Sequence, residues 1–99
     1  MKNTWLQRNT RQNIHDTAMA IAHQYKFEPI GFKTLRKIDF AISKFLHGLL
    51  IRDKIQSYGC NIQGIAVGNK RIFVEYRADK WRFKLTLSTS GIEMRWLSG

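Results

Sequence analysis

Three histidines, one cysteine and seven acids are the side chains of this 99-residue chain suited to acid–base, nucleophilic or metal chemistry. Their spacing argues against all three. His15 and His23 stand a full eight positions apart, His47 is far from both, and no two histidines sit at i, i+4. A zinc site needs three or four converging ligands, so no metal is expected. Cys60 follows Gly59 and is expected to be a small, half-buried residue at a strand entry. A cysteine nucleophile needs a base in reach and a third group to orient it. No spacing ties His47 and Asp53 to that role. The acids Asp16, Glu28, Asp39, Asp53, Glu75, Asp79 and Glu93 never stand as a pair. Gly64-Ile65-Ala66-Val67-Gly68-Asn69-Lys70 lacks the spacing of a phosphate-binding loop. The expectation is a non-enzymatic protein with no catalytic residue and no cofactor. A metal-independent nuclease built on one histidine and several arginines is the enzyme class this composition leaves open.

The charge points elsewhere. Seventeen Lys and Arg stand against seven Asp and Glu, a formal net charge of +10. On so small a body that gives a positive potential of several kT, which attracts polyanions at long range. A single cysteine excludes an internal disulfide, as suits a reducing compartment. Met1-Lys2-Asn3-Thr4-Trp5 has no apolar run of the kind a signal peptide carries. No apolar run, Leu49-Leu50-Ile51 included, approaches the ~20 residues of a membrane span. A cytoplasmic protein, or one assembled into a virion, is expected, with no membrane partner.

These residues must be positioned by elements that the hydrophobic period reveals. Residues 1–9 read as an N-terminal arm, and 10–99 as a single basic domain. Ile14, Ala18, Ile21, Ala22 and Tyr25 form a stripe at helical spacing, predicting a helix from about Arg11 to Tyr25 capped by Asn9 or Thr10. Lys26 to Gly31, with the only proline, Pro29, breaks it. Leu35, Ile38, Ile42, Phe45, Leu46 and Leu49 predict a second helix capped by Thr34, extending through Ile55 to Tyr58 with Gly59 as the stop. Gly48 lies inside it, either admitting the first helix closely or bending the second.

After Cys60 the period becomes two. Ile65 to Val67 leads into Gly68-Asn69, a hairpin signal. Lys70 to Tyr76, Trp81 to Ser88 and Ile92 to Leu97 follow, joined by Arg77-Ala78-Asp79-Lys80 and Thr89-Ser90-Gly91. Placing Tyr76 opposite Trp81 sets Val74 opposite Phe83 and Ile72 opposite Leu85, all on one face. Leu85 then meets Met94, and Phe83 meets Trp96. The predicted architecture is α+β: two N-terminal helices packed on one face of a four-stranded antiparallel β-meander. Trp81 and Trp96 are expected in the core, while Trp5 sits in the arm.

The same register decides what the other face shows: Arg71, Phe73, Glu75, Arg82, Lys84, Thr86, Glu93 and Arg95. Glu75 is expected opposite Arg82, and Phe73 opposite Lys84. Bases beside an aromatic on an open sheet can follow a phosphate backbone and stack a nucleobase. The blander possibility is a solvated face laced with cross-strand ion pairs. No RNP-type aromatic motif is present. A second basic set, Lys33, Arg36, Lys37 and Lys44, lies on the polar side of helix 2 near its N-terminal end, where the helix dipole favours anions. Contacts of that type position a protein without reading sequence. Lys2, Arg8 and Arg11 extend this footprint as a flexible arm.

Tyr25-Lys26-Phe27-Glu28-Pro29, a helix carrying Phe45-Leu46-His47-Gly48-Leu49, and then strands make a pattern over about residues 12–75. It resembles the terminal domain of contractile phage tail sheaths, with Ile30 standing where that pattern has Asn. The resemblance implies a virion-assembly role, with strands or arms adding to a neighbour's sheet edge.

The expected function is therefore nucleic-acid binding, RNA or DNA, through phosphates and with low sequence specificity. Arg71, Phe73, Arg82, Lys84, Arg95, Lys33, Arg36 and Lys37 are the expected contacts. The alternative is a protein-interaction module that turns its basic surface on an acidic protein or ribonucleoprotein. Examples are a phage or mobile-element inhibitor of a host factor, or a tail-assembly component.

Overall fold

The computed structural model describes residues 4–66, 68 and 70–98, the side chains of 4–8 and 98 excepted. Two helices, α1 (Thr4–Gln24) and α2 (Phe32–Ile51), precede four strands: β1 (Tyr58–Ala66), β2 (Arg71–Ala78), β3 (Trp81–Ser88) and β4 (Gly91–Ser98). The sheet is antiparallel in the order β1-β2-β3-β4, the α+β meander that the change of period predicts.

Helix α1 buries Ile14, Ala18, Ile21 and Ala22, the predicted stripe. It begins earlier than expected, at Thr4, so Asn9 and Thr10 lie within it rather than cap it. No glycine or proline interrupts 4–24, and each residue added to a nucleated helix gains a backbone hydrogen bond. Polar side chains alone do not end a helix.

Helix α2 is capped by Gly31 in extended conformation, with no side-chain cap. Thr34 sits inside the first turn, buried, and its hydroxyl donates to the Pro29 carbonyl at 2.7 Å. It therefore ties down the preceding loop instead of capping the helix. The helix runs unbroken through Gly48, where an added Cβ would meet only the Arg52 guanidinium, at 3.7 Å. It stops at Ile51, well short of the predicted Tyr58. Asp53 adopts φ 59°, and the amides of Asp53 and Lys54 donate to the carbonyls of Leu50 and Leu49 at 3.1 and 2.9 Å. That is a Schellman stop with aspartate, one of the few side chains that tolerates the left-handed region, in place of the usual glycine. Gly59 lies in β1 instead.

Strand β1 starts at Tyr58, ahead of the predicted Ile65, and carries a bulge between Cys60 and Ile62. At the β1–β2 turn Gly68 is described and Lys70 takes φ 48°; Val67 and Asn69 of the predicted hairpin lie outside the described residues. The β2–β3 register differs from the expected one by two residues. Ala78 faces Trp81, Tyr76 faces Phe83, Val74 faces Leu85 and Ile72 faces Leu87. The turn is only Asp79-Lys80, made possible by Asp79 at φ 55°. Its carboxylate accepts the amides of Gln56 and Ser57 at 2.7 and 3.1 Å, and its own amide donates to the Ser57 carbonyl at 2.9 Å. A shift of two preserves facing, so every inward residue stays inward. The β3–β4 register is as predicted, with Phe83 opposite Trp96 and Leu85 opposite Met94.

Helix α2 packs chiefly on β1, and also on β2, while α1 covers β3 and β4. Between the layers Tyr76 stacks on Phe83 at 5.8 Å, and Phe83 meets Trp96 edge-on at 5.5 Å. Trp81 is buried and Trp96 packs at the rim of the core. Full burial of each large apolar side chain stabilises by about 1.5–3 kcal/mol, which is why both helices share one side of the sheet and leave the other bare.

Candidate nucleic-acid interface

That bare side carries Arg71, Phe73, Glu75 and Arg77 from β2, Arg82, Lys84 and Thr86 from β3, and Glu93 and Arg95 from β4. Arg71, Arg82, Lys84 and Arg95 are exposed. Because the turn is shorter than expected, Lys84 faces Glu75, Thr86 faces Phe73, and Arg77 faces Arg82. The expected pairing of Glu75 with Arg82 survives as a diagonal contact of 3.9 Å. Glu75 also accepts from the Asn61 amide at 3.1 Å. It is the carboxylate that most offsets this cationic surface.

Phe73 is half-buried, where the sequence leaves it with no covering partner. Its ring lies across Gly64 of β1, so close that a Cβ there would come within 2.9 Å of it. Lys84 places its ammonium 5.7 Å from the ring centroid. Gly64 thus leaves the room that the end of the ring occupies, with a cation beside it.

Arg77 is the residue that sequence reasoning missed. The sequence pattern places it in a turn, yet it belongs to β2. Its Nη1 donates to the Ser57 hydroxyl at 2.9 Å and to the Asp79 carbonyl at 3.0 Å. The one signal that could have found it is Asp79, a side chain that tolerates the left-handed region on which a two-residue turn depends.

The second basic set is divided. Lys33 and Arg36 are exposed, but Lys37 forms a 2.8 Å ion pair with Glu28. The hydrogen bond to Glu28 raises the Lys37 pKa. Phe32 and Phe40 stand exposed on the same helix, and Ile51 does so near its end. The outer side of α2 is therefore both cationic and apolar. Arg11 is not part of an arm: it lies on α1, packed over the rings of Trp96 and Trp81. Lys2 lies outside the described residues.

The groups considered for chemistry stay apart. His15 contacts Asp16 at 3.3 Å, and His47 meets the Tyr58 hydroxyl at 3.1 Å rather than Asp53. Cys60 is exposed instead of half-buried, although it stands opposite buried Tyr76; partial desolvation pushes its thiol pKa up, away from the thiolate. Among the described residues no three His, Cys, Asp or Glu side chains gather to hold a metal ion, and no helix is long and apolar enough to cross a membrane. Comparison with family models, curated proteins and solved structures finds no match to this chain.

Proposed function

We propose that this protein binds nucleic acid through the uncovered face of its sheet, chiefly through phosphates and with low sequence specificity. One observation carries the reading: the face opposite the helices holds Arg71, Arg77, Arg82, Lys84 and Arg95 against two acids, Glu75 and Glu93. Arg71, Arg82, Lys84 and Arg95 would neutralise phosphates, and Phe73, seated on Gly64, would offer its outward ring to a base. Lys33 and Arg36 form a separate cationic patch on the helix side, with Lys37 largely satisfied by Glu28. The test is the affinity for a generic single-stranded oligonucleotide as a function of salt. Four neutralised phosphates give a slope of log K against log salt of about −3. Failure to bind at low salt would overturn the proposal.

The exposed Phe32, Phe40 and Ile51 favour a second reading, a protein-interaction module. Apolar side chains flanked by Lys33, Arg36 and Lys44 suit an acidic protein or ribonucleoprotein partner, as for a mobile-element inhibitor or a virion component. This reading predicts a stoichiometric protein complex that is broken by charge reversal at Lys44. Its nucleic-acid affinity would be no greater than net charge alone explains.

A further inference from the structure

The sheet is open, and its two edges differ. Strand β1 is kinked by its bulge at Cys60 and Ile62, a device that blunts an edge against further pairing. Strand β4 shifts register too, but only at its end, between Trp96 and Ser98; Gly91 to Trp96 is a regular run whose far edge faces no other strand of the sheet. Its outward side chains are also mismatched within the chain. Arg95 stands directly opposite Lys84, and Glu93 opposite Thr86. Like charges directly across a ladder are unfavourable, whereas opposite charges attract. Neither Glu93 nor Arg95 forms an ion pair among the described residues.

We propose that the β4 edge pairs with β4 of a second copy, antiparallel about a two-fold axis at Met94. Pairing that keeps both cores on one side must join residues of equal parity. Centred on Met94, it sets Glu93 opposite Arg95 of the second copy and Arg95 opposite Glu93 of the second copy. Moving the axis to Glu93 would lay Glu93 on its own counterpart, and moving it to Arg95 would do the same with Arg95. Of these three registers, Met94 alone joins opposite charges. It also brings Ile92 beside Trp96 of the second copy, covering apolar side chains left half-exposed at the rim of the core. The contact is isologous, so it closes as a dimer instead of growing into a filament. The product is one eight-stranded sheet with both cationic faces on the same side. This inference does not depend on nucleic-acid binding, and its test contains no nucleic acid.

Sedimentation equilibrium of the full chain, over a wide concentration range and at an ionic strength that screens the net charge, is the measurement. The wild type is expected to dimerise. Glu93→Arg and Arg95→Glu, each of which places like charges across the interface, are expected to weaken the dimer at least tenfold. The double variant E93R/R95E restores opposite charges in the same register and is expected to recover dimerisation. Both positions are exposed, so circular dichroism should show each variant folded. A wild type that stays monomeric, single variants that dimerise like it, or a double variant that fails to recover would each overturn the proposal.

Discussion

The guanidinium of Arg11, on α1, lies 4.6 Å from the ring centroid of Trp96 on β4 and 5.9 Å from that of Trp81 on β3. One cation thus clasps the last two strands to the first helix. Desolvated cation–π contacts reach about 2 kcal/mol. Arg11→Leu is expected to lower the unfolding free energy by about 1–2 kcal/mol, and Arg11→Lys by less. Urea denaturation followed by tryptophan fluorescence measures both; an unchanged midpoint for Arg11→Leu would show the clasp to be idle.

A second tie joins α2 to β2. The buried phenol of Tyr76 donates a hydrogen bond to the Asp39 carboxylate, which Ser43 also approaches. Burial, and then the Asp39 carboxylate, push the Tyr76 pKa far above its ordinary 10.0. The folded protein therefore keeps a proton that the unfolded chain releases above pH 10. The resulting stabilisation is fully present below that pH and declines as the pH rises past it, by up to about 1.4 kcal/mol per unit. Tyr76→Phe should cost about 1–3 kcal/mol at neutral pH, since Asp39 loses its main donor. It should also flatten the alkaline decline. Equal alkaline slopes for the two proteins would remove Tyr76 as the cause.

Two backbone positions leave stability unclaimed. Asp53→Gly relieves a left-handed residue at the end of α2, and Gly48→Ala removes a helix-interior glycine whose Cβ has room. Each is expected to stabilise by about 0.5–1 kcal/mol, read as a rise in Tm.

Asp79 holds the link between α2 and β1 against the β2–β3 turn through the amides of Gln56 and Ser57. Asp79→Ala should cost about 1–3 kcal/mol and speed hydrogen exchange at those two amides. Asp79→Asn keeps an acceptor and tolerates the left-handed conformation, so it should cost less. Unaltered exchange at Gln56 in Asp79→Ala would contradict the assignment.

On the cationic face, stacking and charge should separate. Lys84→Gln is expected to make the salt dependence of oligonucleotide binding shallower by about 0.7 in log–log slope. Phe73→Leu still covers Gly64 but cannot stack. It should weaken binding by about 1–3 kcal/mol and leave the slope unchanged. If both variants changed only the slope, Phe73 would have no stacking role.

Much of the architecture is legible along the chain, because burial imposes a period. Ile72, Val74 and Tyr76 alternate with Arg71, Phe73 and Glu75, so one side must face the helices whatever the exact pairing. The exposed bases Arg71, Arg82, Lys84 and Arg95 follow from that alternation. The covering of Phe73 does not: it depends on Gly64, seven residues before the strand begins. Lys37 reads as one more base on a polar helix face until Glu28, across the loop, is found to claim it. Arg11 reads as part of an arm until the helix continues past it and the two tryptophans come beneath.

By itself, then, the sequence determined the order of elements, the inward side of β2, β3 and β4, and the excess of positive charge. Those properties rest on local periodicity and composition. Only the tertiary structure decided where α2 stops, how β2 and β3 align, and which charges remain available. Asp53 and Asp79 take conformations most side chains avoid, and partners distant in sequence hold Asp79 there. A strand slipped by two residues buries the same side chains, so hydrophobicity cannot distinguish the registers. The turn that chooses between them is secured by the Gln56 and Ser57 amides, more than twenty residues away.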